Sequence, residues 1–334
     1  MTEIMSTQLA NDLDETDLRV RYDNQVKIVL SNKPVLARIL KYSVKELMDE
    51  AISTIEGWIG NDIEISKVAV APGFTNTKLN QTENVDKVRN EGKIKFDLKF
   101  SVFIHNKHEK KIIINVEAQQ KGNPGYDLCT RVIYYASRLI SSQLGVEFQN
   151  NKSDPKQYDN IKDVYTIWIC MDCTKDKQDT IAAFNIMPEM MFPKEREYNL
   201  SYRYDILHIV MIHLSKKGKE SVNSLIGMLD VLLGNEELKR KKKKLQDKYN
   251  LLMSVDMENE VEDMCNLSQG IVEDTTREVT REVTRKVTKE VTKKKTVEYI
   301  NNIMESMGCT IDQAMKALKI NPNEYAMYKD LMGM

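Results

Sequence analysis

Two carboxylates and an amide stand where neighbouring strands would bring them together: Asp97, and Glu117 with Gln119 two residues on. From Phe96 the chain alternates Phe96, Leu98, Phe100, Val102 and Ile104 against Asp97, Lys99 and Ser101. That is the period of a half-buried strand, and it turns Asp97 away from the apolar set. A polar turn around His105-Asn106-Lys107-His108-Glu109 leads into a second strand, Lys111 to Gln119, in which Asn115, Glu117 and Gln119 share one face. Ile112 to Ile114 form an unbroken apolar run, as expected of a strand covered on both sides, so Glu117 belongs near a buried strand end. Carboxylates converging beside a neutral amide suit Mg²⁺ or Mn²⁺, hard cations that water and substrate phosphate complete. This donor set points to phosphodiester chemistry; the competing reading is acids merely solvated on the polar side of a strand.

The helix expected after Gly122-Asn-Pro-Gly125 adds a second set of groups. Arg131 and Arg138 are seven residues apart and project from nearly one face, with Tyr134 and Tyr135 between them. Such a face suits a scissile phosphate, although arginines paired with neighbouring acids and packed tyrosines would read the same way. With 49 basic against 50 acidic residues, the chain has no global basic footprint, so contact with DNA must use local patches of this kind.

Taken together, Glu91-Gly92-Lys-Ile-Lys-Phe-Asp97, Asn115-Val-Glu-Ala-Gln119, Pro124-Gly125-Tyr126, Arg131-x-x-Tyr134-Tyr135-x-x-Arg138-Leu-Ile-Ser-Ser-Gln143, Val164-Tyr-x-Ile-Trp168-Ile-Cys170-Met171 and Met264-Cys265-Asn266-Leu267-Ser268 resemble the PD-(D/E)XK nuclease family transposases, relatives of the recombination-promoting nucleases. The resemblance extends from about residue 20 over nearly the whole chain. It implies an α/β fold with a restriction-endonuclease-like αβββαβ core, added strands and a helical C-terminal region. It also implies Asp97 and Glu117 as metal ligands and catalytic residues with Gln119, a Mg²⁺ or Mn²⁺ cofactor, DNA as substrate, and an acid from a helix before the strands, for which Glu46 and Glu50 are the candidates. The superfamily usually carries Lys where Gln119 stands. A glutamine amide orients water but offsets no charge, so metal ions would carry more of the work.

The supporting elements follow from local signals. Asn32 ahead of Pro34 predicts a helix start with Val35, Leu36, Ile39 and Leu40 as its stripe, and Ser43-Val-Lys-Glu46 reads as the capping box of a second helix. A strand is expected at Ile65 to Val70 and a long polar loop from there to Asn90. The helix after the Glu117 strand is placed at Tyr126 to Gln143. Further strands are read at Asp163 to Met171, Ile181 to Met187 and Tyr204 to Leu214, and helices at Ser221 to Leu233 and Glu236 to Leu252. Within the last, Lys239 to Lys244 reads as a solvated basic face.

From Asp274 a four-residue repeat places valines at 279, 283, 287 and 291. A period of four drifts about 40° per repeat against the 3.6-residue turn, so the apolar line winds around the rod and would favour right-handed association of copies. The chain therefore reads as a disordered N-terminus (1–20), a nuclease-like core (21–215), a helical extension (216–273), a helical spacer able to form homo-oligomers (274–297) and a small helical module (298–334), with Thr310 capping one of its helices. Five widely spread cysteines argue against a disulfide framework, and Cys170-Met-Asp-Cys173 lacks a second dyad to complete a zinc site. His105 and His108 read as solvated turn residues, His208 and His213 as core or edge. No apolar run reaches the roughly 20 residues of a membrane span and Met1 to Thr16 is polar, so a soluble cytoplasmic protein without a signal peptide is expected. The expected activity is metal-dependent DNA cleavage linked to recombination or transposition. Its rivals are a catalytically impaired DNA-binding relic and an oligomeric protein-interaction factor.

Overall fold

The computed structural model describes residues 18–65, 85–88, 92–105, 109–121, 124–144, 146–148, 156–193 and 203–333. The chain divides into two compact units, Met1–Gln269 and Gly270–Met334.

The first unit is built on a six-stranded sheet in the order β1-β4-β5-β6-β8-β7. Its strands are β1 (Glu64–Ile65), β4 (Leu98–His105), β5 (Glu109–Lys121), β6 (Asp163–Asp172), β7 (Thr180–Asn185) and β8 (Leu207–His213), with a separate hairpin of β2 (Val85–Val88) and β3 (Gly92–Lys95). β4 runs antiparallel to β5, whereas β5, β6 and β8 are mutually parallel. Parallel strands are covered on both faces, and the sequence of β6 shows it: its first eight residues are all buried. Residues 85–88, read as loop, instead pair with β3. The remainder of the expected strand beyond Ile65, the turn residues 106–108 and residues 1–17 lie outside the described residues.

Alternation decides what each face holds. Leu98, Phe100, Val102 and Ile104 of β4, with Ile112, Ile114 and Val116 of β5, join the main core. That core is covered by α1 (Leu18–Leu30), α2 (Lys33–Ser43), α3 (Ile52–Trp58), α5 (Ser224–Leu233), α6 (Leu238–Tyr249) and the start of α7 (Val255–Met307). The opposite face carries α4 (Leu128–Ser141), whose Leu128, Val132 and Ala136 pack on Trp168, Cys170, Ile209 and Met211, while Leu139 meets Phe96, Ile113 and Val164. Spacing of four, four and three puts these side chains on one stripe, and Asp127 caps the helix by accepting the Cys129 N–H at 2.9 Å. The α/β class with an αβββαβ-type core and a helical C-terminal region is thus present.

Three local readings change. The chain bends at Asp97, so Phe96 leaves the alternating set and packs beneath α4. Ser43 is the last residue of α2 and not a cap; a short 3₁₀ turn, Lys45–Leu47, follows, and the next helix begins only at Ile52. Lys241, inside the basic run, is fully buried and donates to the Leu232 carbonyl at 3.0 Å, which satisfies an otherwise orphaned acceptor at the end of α5.

In the second unit, the repeat lies within α7, an unbroken 53-residue helix, and Val279, Val283, Val287 and Val291 are exposed. A small core of Ile300, Ala314, Met315 and Tyr328 binds α7 to α8 (Ile311–Ala317) and α9 (Tyr325–Leu331). Thr310 and Gln313 form a reciprocal capping box at the start of α8.

Candidate active site

The ladder between β4 and β5 ends at the pair Leu98 and Val116, and beyond it side chains take over the hydrogen bonding. The Asp97 backbone N–H donates to Glu117 Oε1 at 3.0 Å, and the Ala118 N–H donates to Asp97 Oδ2 at 3.0 Å. Each carboxylate is therefore fixed by the other strand's main chain. Glu117 lies on the α4 side with only 4 % of its surface exposed. Burial, and then the neighbouring charge of Asp97, push its carboxyl well above the ordinary carboxylate range; the Asp97 N–H, Arg131 and Lys27 pull the other way without offsetting this.

Helix α1 supplies two residues that the sequence reading passed over. Lys27 Nζ lies 2.6 Å from Asp23 Oδ2, one turn back, and 3.0 Å from Asp97 Oδ1. Gln120 Nε2 donates to Asp23 Oδ1 at 3.4 Å, tying the acid to β5. Lys27 is buried, which disfavours its charge, yet Asp97 and Asp23 outweigh that penalty and hold it as an ammonium above its usual value. Burial and the Asp97 charge raise the Asp23 carboxyl, against the pull of Lys27. A signal existed: Asp23, Val26, Lys27 and Leu30 share one helical face, and an ion pair on an apolar stripe is out of place on a surface helix.

Glu46 and Glu50, the helix acids expected from the sequence, are not brought to this site. Glu46 accepts from Lys110 Nζ and, at 2.7 Å, from the Tyr165 hydroxyl, and Lys110 also pairs with Asp163, which Arg203 holds from its other oxygen. Lys110 sits opposite Ile104, at the far end of β5 from Glu117, about 23 Å along a strand that rises ~3.3 Å per residue. Glu50 lies just beyond the 3₁₀ turn, where its carbonyl accepts from Lys41 Nζ at 2.6 Å.

Gln119 follows Glu117 on the same side of β5, half-buried and in register with Cys170 of β6. Arg131 is held in an aromatic cage. Its guanidinium lies 5.0 Å from the Tyr135 ring, 5.4 Å from Trp168 and 5.7 Å from Tyr126, and it donates to the Tyr135 hydroxyl at 3.0 Å and to that of Tyr126. Tyr135 stacks edge-on against Phe96 and Trp168, and Trp168 is the β6 partner of Glu117 in the ladder, which sets the cage beside the acid pair; burial and then the Glu117 charge raise the Tyr135 hydroxyl. The other two residues read as phosphate contacts diverge: Tyr134 is 49 % exposed, whereas Arg138 is only 2 % exposed and faces the interior. The face shared by Arg131 and Arg138 is the one packed on the sheet.

Among the described residues, no group of three or more His, Cys, Asp or Glu side chains is gathered as a protein-only metal cage. What the strand ends offer is two hard oxygen donors, Asp97 and Glu117, whose mutual repulsion and burial a divalent cation would relieve. That fits Mg²⁺ or Mn²⁺, which keep several waters and take one or two carboxylates.

The sequence model of the family described as PD-(D/E)XK nuclease family transposase matches residues 73–307, more than half of the chain and inclusive of Asp97, Glu117, Gln119 and Arg131. No curated protein and no solved structure matches the chain.

Proposed function

The chain belongs to the PD-(D/E)XK nuclease family transposases, and from that premise we propose that it is a divalent-metal-dependent DNA endonuclease acting in recombination or transposition. The observation that carries this reading is the reciprocal hold between Asp97 and Glu117, which sets two carboxylates at adjoining strand ends. Asp97 and Glu117 would hold Mg²⁺ or Mn²⁺, which when bound lowers the pKa of water and stabilises charge on the phosphate. Asp97 presents its carboxylate from the partly open side, and Glu117 anchors the site from below α4. Gln119 orients the attacking water with its amide. Arg131, stiffened by its aromatic cage, offers its remaining N–H groups to a phosphate oxygen.

The test is cleavage of supercoiled plasmid: the wild type is expected to cut with Mg²⁺ or Mn²⁺ and not with EDTA, and Asp97→Ala to abolish cutting; equal activity in the variant removes this site. Gln119 in place of lysine favours one competing reading, a DNA-binding protein that never cuts, which expects plasmid to be retained but not nicked under every metal. The exposed valines of α7 suit a homo-oligomerising role. Among the described residues no helix is long and apolar enough to cross a membrane. A DNA substrate and five unpaired cysteines suit a reducing compartment such as the cytoplasm.

A further inference from the structure

Gln119 leaves β5 without the ammonium that a lysine at that position would bring, but the site is not without one. We propose that Lys27 supplies the positive charge of the site from α1, taking over the charge-offsetting task that the Gln119 amide cannot perform, with Asp23 as its anchor. The inference rests on the nuclease reading and deepens it. It extends the machinery to a helix that precedes residue 73, where the family match begins.

Lys27 is 3 % exposed and reaches past its own-helix partner to Asp97 Oδ1 at 3.0 Å. An ion pair serving only α1 would be complete with Asp23 one turn back; the second contact carries the charge to a metal-binding carboxylate. Gln119 and Gln120 alternate across β5, one on the Glu117 side and the other holding Asp23 at 3.4 Å. The strand that lacks the lysine thus anchors the acid that anchors Lys27.

Asp97 has Oδ1 on Lys27 and Oδ2 on the Ala118 N–H, so its carboxylate plane is fixed before any ligand arrives. Lys27 is on this account a positioning residue: it acts on the phosphate's developing charge through Asp97.

The test compares the full-length wild type with Lys27→Met and with Lys27→Met/Gln119→Lys, in plasmid cleavage and in calorimetric titration with Mn²⁺. Lys27→Met slows cleavage about 100-fold, and Gln119→Lys in that background restores at least about tenfold, because the charge has returned to the site from another element. Mn²⁺ binds Lys27→Met more tightly than wild type, since a positive charge no longer stands beside Asp97. A residue that merely props α1 gives the opposite pattern: weaker Mn²⁺ binding and no rescue. That pattern, or cleavage by Lys27→Met within about threefold of wild type, overturns the proposal. Where Lys27→Met does not fold because it strands Asp23, the same comparisons are made in the Asp23→Asn background. A wild type that cuts no DNA defeats the nuclease reading alone; the Mn²⁺ titration then decides on Lys27, with unchanged or weaker affinity counting against it.

Discussion

Glu117→Gln is expected to make the metal-free protein more stable while destroying its activity. Glutamine keeps an oxygen to accept the Asp97 N–H, 3.0 Å away in the wild type, and removes a charge that is 4 % exposed. The Glu117 carboxyl is held well above its ordinary 4.5, by burial first and by the Asp97 charge second. A carboxyl that binds its proton more tightly when folded favours the fold fully below its unfolded value and loses that contribution as pH rises toward its folded one. Through that window, from about pH 4.5 upward, the wild type loses up to about 1.4 kcal/mol per pH unit relative to the variant. At ~1.5–2 °C per kcal/mol for a chain of this size, the gap in Tm opens by roughly 2 to 3 °C per pH unit. Thermal melts in EDTA across pH 5 to 8 measure it, and saturating Mg²⁺ should narrow the gap by binding the wild type alone. A gap that stays constant with pH, or a wild type that gains stability over the variant as pH rises, refutes the reasoning.

Arg131→Ala should weaken DNA binding by about 1.5–3 kcal/mol and reduce the salt-dependence slope by about one, measured by filter binding over a salt series; an unchanged slope denies it a phosphate contact. Glu46→Gln should leave cleavage at the wild-type rate while lowering stability in urea by about 1–3 kcal/mol, since it disrupts the Lys110 and Tyr165 contacts; lost cleavage with an intact fold would return Glu46 to the site. Deleting residues 274–296, which carry the exposed valines of α7, should convert a self-associating protein into a monomer in sedimentation; equal mass for both forms removes the oligomerising role.

The strand pair was legible because its signals are local and periodic. The run Ile112 to Ile114 marks β5 as buried, and the alternation in β4 with a hairpin register that ends at Leu98 and Val116 carries Asp97 and Glu117 together just beyond it. α1 escaped because Asp23 and Lys27 also suit a surface pair at i,i+4; the apolar stripe they share with Val26 and Leu30 is a faint signal, and the tertiary contact to Asp97 gives it its meaning. Ser43-x-x-Glu46 failed for the converse reason. Its local pattern is a good capping box, but Glu46 finds stronger partners in Lys110 and Tyr165, and Ser43 already lies inside α2. Spacing placed Arg131 and Arg138 on one face correctly, but did not say that this face would be pressed onto the sheet and bury Arg138. The repeat announced a helix through its valines, while the continuity of α7 from Val255 to Met307 had no comparable periodic marker.

Crystals of the protein grown with Mn²⁺ and measured for anomalous scattering address the shared-cation claim most directly. The account predicts a peak about 2.1 Å from carboxylate oxygens of both Asp97 and Glu117, with water filling the remaining positions. Full occupancy at another site, with Asp97 and Glu117 still held only by each other's strands and Lys27, would contradict it.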